Sequence, residues 1–143
     1  MRRVQAFVIG IFLTCAAAIS AEPARDVVAL TNAFRQEKGQ PALVISTKLE
    51  AIAQSHGNDM RKNDFFSHTG SDGSDIALRA KRHGYTYCVL AENIAFGQPT
   101  AERVTDGWSK SRGHRKNMLN RRVTEIGVIK EGKYWVMVLA QPC

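Results

Sequence analysis

Ala91-Glu92-Asn93-Ile94-Ala95-Phe96-Gly97 reads as a single strand closed by a glycine. Period-2 alternation places Glu92 on the same face as Leu90, Ile94 and Phe96. A carboxylate on an apolar face must be hydrogen-bonded, paired with a cation or protonated, because burying it alone is too costly. Glu92 therefore needs partners from elsewhere in the chain. His68, in Phe65-Phe66-Ser67-His68, and His114, in Ser111-Arg112-Gly113-His114-Arg115, are the leading candidates. The remaining segments read as the scaffold that brings these three together.

Downstream, Thr100 is a good N-cap for a helix over about 101–111, with Ala101, Val104, Trp108 and Ser111 on one face. A further turn is expected over 114–119. The end is β: 124–129 and 133–140 flank Lys130-Glu131-Gly132, a hairpin connection. The run 134–139 is apolar on both faces, as a central strand covered on both sides should be. Upstream, Val27, Leu30 and Phe34 predict a helix over 26–38 ended by Gly39, followed by an extended link through 42–45. A second helix starts at Ser46 or Thr47, where Thr47 and Glu50 fit a capping box. It carries His56 within its apolar stripe, as a satisfied core histidine, and Gly57 at a point of close packing. A short third helix ends at His83, which favours the helix dipole there, and Gly84 stops it. Ile76, Ala77 and Ala80 are its inward residues. This order predicts an α+β domain with helices layered on an antiparallel sheet.

The 143 residues leave room for one domain. Arg2 and Arg3, an apolar run from Ala6 to Ile19, and small residues at Ser20 and Ala21 form an export signal over 1–21. A retained anchor and a lipoprotein site at Cys15 are the alternatives. The run is short for a bilayer span, and the mature chain, 22–143, contains no transmembrane segment. Secretion or a periplasmic location is the expectation, with the chain a monomer. Removing the signal leaves Cys88 and Cys143, which an oxidising compartment would join as a disulfide; two free thiols are the alternative. It also removes two of the 20 Lys and Arg, so the balance becomes 18 − 13 = +5. Arg112, Arg115, Lys116, Arg121 and Arg122 crowd one stretch. Without interleaved aromatics it reads as a solvated face favouring anionic surfaces, not as a nucleic-acid site.

Together the segments resemble the CAP superfamily, the cysteine-rich secretory, antigen 5 and pathogenesis-related-1 proteins, in its bacterial secreted branch. The likeness runs through Asn32-Ala33-Phe34-Arg35 with Gly39, Leu49 to Met60, Phe66-Ser67-His68 with Asp72-Gly73, and Gly84-Tyr85. It continues through Ala91 to Ala95, Trp108 with Ser111, Gly113-His114-Arg115 with Asn117, Glu125 to Val128, and Tyr134-Trp135. The resemblance implies an α-β-α sandwich around a cavity lined by two histidines and two glutamates, where the histidines can hold a divalent ion. His68, His114 and Glu92 match that set. Ser111 stands at the second glutamate position, one carboxylate fewer.

Three functional classes follow. His68 and His114 could ligate zinc or another divalent metal, with Glu92 as a third ligand or as the acceptor that orients one imidazole. The bland alternative is a Glu–His network that only braces the cavity. A hydrolase would use His68 or His114 as base, Glu92 as its orienter and Ser111 as nucleophile, although neither GxSxG nor HExxH occurs. A binding module outside the cytoplasm, for a lipid, surface or protein partner, asks least of the residues.

Overall fold

The strand Tyr134–Pro142 is buried on both faces, and the computed structural model, which describes residues 21–143, shows what covers them. The order is α1 (Ala21–Glu37), β1 (Val44–Ile45), α2 (Thr47–Asn63), α3 (Ile76–Arg82), β2 (Tyr87–Phe96), α4 (Ala101–Lys110), α5 (Arg112–Met118), β3 (Glu125–Glu131) and β4 (Tyr134–Pro142). Trp135, Met137 and Leu139 pack with Val27 and Val28 of α1 and Val104 and Trp108 of α4. The alternate residues Val136, Val138 and Ala140 pack with Leu49, Ile52 and Met60 of α2 and Ala80 of α3. Helices thus cover both faces of one sheet, an α-β-α sandwich. The expected export signal lies outside the described residues except for Ala21.

The sheet order is β1-β3-β4-β2, so β2, the strand that carries Glu92, lies at an edge. β4 pairs antiparallel with both β2 and β3. The expectation of an antiparallel sheet holds for these three strands, but β1 adds a short parallel pairing, Val44 to Glu125 and Ile45 to Ile126. The link after Pro41 runs alongside β3 in the same direction before turning into α2.

Local chemistry sets the helix ends. The Thr100 hydroxyl accepts the Arg103 N–H, and Asp75 accepts the Leu78 N–H. Ser46, not Thr47, is the N-cap of α2, and its side chain accepts no helix N–H. Glu50 instead faces Arg25 of α1 at 3.5 Å, so the capping box does not form. Gly57 sits at a close contact, since a Cβ there would lie 2.6 Å from Ile129 Cδ1, the tip of that side chain. Cys88 and Cys143 form a disulfide across a Cα separation of 5.0 Å. It ties the irregular start of β2 to the last residue of the chain.

Arg35 is fully buried and has no carboxylate partner among the described residues. Its Nε donates to the Pro41 carbonyl at 2.9 Å, and its Nη1 to Met118 and Asn120 carbonyls at 2.8 and 3.0 Å. One side chain of α1 thereby fastens the end of α5 to the body of the domain.

Candidate functional site

Glu92 projects from β2 toward the α2–α3 layer, and its side chain is 3% exposed. Both oxygens are taken. His68 Nδ1 donates to Oε1 at 2.7 Å, and Arg79 Nη2 donates to Oε2 at 2.8 Å. Arg79 is itself buried, and its guanidinium also donates to the carbonyls of His68 (3.1 Å) and Ser74 (2.8 Å). From α2, His56 Nε2 donates to the Ser67 carbonyl at 2.8 Å and lies 4.0 Å from Glu92 Oε1. The Phe66-Ser67-His68 loop is therefore held from behind through two successive carbonyls, and from its side chain by Glu92.

These contacts fix the tautomers. A histidine nitrogen facing a carboxylate or carbonyl must carry the proton. His68 is thus protonated on Nδ1, which leaves the lone pair on Nε2, on a side chain 58% exposed. His56 is protonated on Nε2, and its buried Nδ1 has no partner among the described residues. Burial holds the His56 pKa below the ordinary histidine value, against the opposing pull of Glu92.

On the other face of β2, Asn93 is fully buried. Its Nδ2 donates to the His114 carbonyl at 3.2 Å, and its Oδ1 accepts from Asn117 Nδ2 at 2.9 Å. Two outward carbonyls of this edge are also capped: Asn117 donates to Glu92 O at 3.3 Å, and Trp108 Nε1 to Ile94 O at 3.2 Å. The α4–α5 corner is pinned along the free edge of the sheet in this way. His114 lies beside Trp108 (ring centroids 6.4 Å apart) and lines a cleft of about 460 Å³ with Phe66, Ile94, Phe96 and Gln98. Burial, and secondarily the nearby His68, lower the His114 pKa below the ordinary value.

The structure thus joins Glu92 to His68 but not to His114. His114 reaches β2 through its backbone carbonyl, because α5 approaches on the Asn93 face. Ser111 caps the α4–α5 junction, and among the described residues its side chain is not hydrogen-bonded to an imidazole. The residues missed by sequence reasoning are Arg79 and the loop-bracing role of His56. The signal for Arg79 was present: it falls three residues after Ile76, on the stripe of α3 that faces inward, and Glu92 required a cation. Among the described residues no three His, Cys, Asp or Glu side chains are grouped to hold a metal ion.

A helix-covered sheet whose edge-strand carboxylate holds a loop histidine is the arrangement of an SCP-type sandwich. The chain belongs to the cysteine-rich secretory protein family, CAP, whose pattern matches residues 28–137. It is 39% identical over 113 residues to the uncharacterized protein YkwD of Bacillus subtilis, covering 78% of this chain and 44% of that protein. It is 30% identical over 111 residues to the uncharacterized membrane protein YlbC of the same organism, covering 78% and 32%. The chain therefore spans less than half the length of either. An extracellular SCP-domain protein of Bacillus anthracis superposes with a TM-score of 0.84 at 28% identity, over 87% of this chain and 42% of that one. An outer surface protein of Borrelia burgdorferi shares the fold at a TM-score of 0.78 and 20% identity, over 85% and 94%. Among the described residues no helix is long and apolar enough to cross a membrane.

Proposed function

We propose that this chain is an exported binding module, with a signal over 1–21 and a CAP domain over 22–143, whose working surface is the cleft lined by Phe66, Trp108 and His114 together with the neighbouring His68. The observation that carries this reading is the fixed orientation of His68. Glu92 holds its ring through Nδ1 and Arg79 holds Glu92, which leaves Nε2 as the free acceptor on a largely exposed side chain. Such an imidazole is suited to a divalent metal or to a ligand N–H or O–H. Zinc or a similar ion would be held by His68 Nε2 and His114, with water completing its shell. Glu92 would stay outside the shell, since His68 and Arg79 occupy both its oxygens. Two imidazoles fit an open, modest-affinity position and not a structural zinc site, which takes four ligands. When bound, the ion would supply a Lewis-acidic contact for a ligand in the cleft. The extracellular and outer-surface descriptions of the structural neighbours support the location.

Calorimetric zinc titration of metal-stripped protein at pH 7.5 and 5.5, beside His68→Ala and His114→Ala, tests the proposal. Binding that both substitutions abolish, and that weakens at the lower pH, is expected, because imidazoles must be neutral to ligate. Binding that survives both substitutions would reject the metal position. The His68–Glu92 pair also suits a general base acting on water, a second reading for which a hydrolase screen with peptide, ester and cell-wall substrates is the test. On this reading His68→Ala abolishes turnover and Ser111→Ala leaves it intact.

A further inference from the structure

The net positive charge of the domain is carried by one segment. Between Asp106 and Glu125 there is no acidic residue, while Lys110, Arg112, Arg115, Lys116, Arg121 and Arg122 contribute six cations. The excess over residues 22–143 is 18 − 13 = +5, so everything outside this segment sums to 5 − 6 = −1. The fold keeps these charges together and exposed. Arg112 and Lys116 lie one turn apart on the outer face of α5, and Arg121 and Arg122 occupy the exposed turn after it. None of these four is in an ion pair among the described residues, whereas Lys110 is paired with Asp106. Arg115 lies over the Phe34 ring, at 4.9 Å from its centre, and Lys38 approaches the same ring at 5.8 Å. Glu37, which is paired with Lys38, also feels the Arg115 charge.

We infer that this corner is an electrostatic docking surface for the anionic headgroups of a phospholipid bilayer. Four of the six cations are arginines, whose planar forks match phosphate oxygens. The cleft beside them is lined by Phe66, Trp108 and His114 and by none of the corner cations. The stretch has no interleaved aromatics on which bases would stack. Each basic side chain near an anionic leaflet is worth about fivefold in partitioning. Four unpaired ones therefore make a reversible, salt-sensitive contact. Because α5 also carries His114, docking would bring the wall of the cleft toward the bilayer. The inference rests on the charge distribution and not on what the cleft binds.

Vesicle co-sedimentation of the purified protein tests it, with pure phosphatidylcholine against 30% phosphatidylglycerol at 50 and 300 mM NaCl. The corner variant is Arg112→Gln, Lys116→Gln, Arg121→Gln and Arg122→Gln. A control of equal net charge is Lys62→Gln, Lys81→Gln, Arg103→Gln and Lys133→Gln, all exposed. All eight sites are on the surface, and unchanged thermal unfolding establishes that both variants fold. The account expects at least a tenfold preference for the anionic vesicles at low salt, lost at high salt. It expects the corner variant to lose at least tenfold and the control to stay within twofold. Equal losses in the two variants would reduce the effect to net charge and overturn the inference. Absence of any preference in the wild type would overturn it too, as would tighter binding, per phosphate, to soluble polyphosphate.

Discussion

Arg35 and Arg79 are both buried arginines, and they face different problems. Among the described residues the Arg35 side chain is hydrogen-bonded to backbone carbonyls alone, those of Pro41, Met118 and Asn120, so it braces one piece of chain against another. Burial lowers its pKa without an anion to offset the loss of water. Arg79 meets a carboxylate as well as carbonyls, and the carboxylate in turn holds an exposed imidazole. One arginine fixes where α5 ends; the other fixes how His68 points. A buried cation with backbone partners alone is structural, whereas one that completes a carboxylate–histidine chain positions a group at the surface.

The contrast can be broken experimentally, and the largest effect is expected at Arg79. Arg79→Met leaves Glu92 charged and buried without its cation, which costs about 3–5 kcal/mol in urea unfolding. Adding Glu92→Gln should recover a substantial part, because the uncompensated charge is then gone. Arg35→Met should cost less, about 2–4 kcal/mol, as acceptors lose a donor but no charge is stranded. No carboxylate substitution should rescue it. At matched stability, Arg79→Met should weaken zinc binding at His68 and Arg35→Met should not, which calorimetry can distinguish.

A packing change that touches neither arginine sharpens the comparison. Gly57→Ala pushes the tip of Ile129 aside at a cost of about 1–3 kcal/mol and gains about 1 kcal/mol of helix propensity, so a net loss of up to about 2 kcal/mol is expected in the same unfolding assay. Ile129→Val should relieve it, with no change at the histidines. The smallest effect is expected from pH. The fold holds His56 and His114 below the ordinary histidine pKa, so the unfolded chain takes up protons first, near pH 6.5. Stability should therefore decline as pH falls through and below that value. His56→Gln should flatten the decline in thermal melts between pH 7.5 and 5.

The layering was legible in sequence because it rests on periodicity. The doubly apolar run at 134–139 and the alternation around Glu92 each admit few arrangements. The requirement that Glu92 find partners was legible for the same reason, and it led to His68. The approach of α5 was not legible: whether His114 meets the Glu92 face or the Asn93 face depends on where Arg35 and Asn117 fasten the corner. Ser111 was expected to follow Trp108 inward by helical spacing, but α4 ends at Lys110 and the chain turns there. Arg79 was passed over because a lone cation on a short helix reads as solvated unless its distant carboxylate is considered with it. The parallel pairing of β1 rests on two residues, too few to leave a pattern.

The most direct test of the central claim, that Glu92 and Arg79 orient His68, is the imidazole ¹⁵N spectrum at pH 7.5. Wild type should show neutral His68 as the Nδ1–H tautomer and His56 as the Nε2–H tautomer. Glu92→Gln should release His68 into a mixture while leaving His56 unchanged. A wild-type His68 already present as a tautomer mixture, or as Nε2–H, would contradict the account.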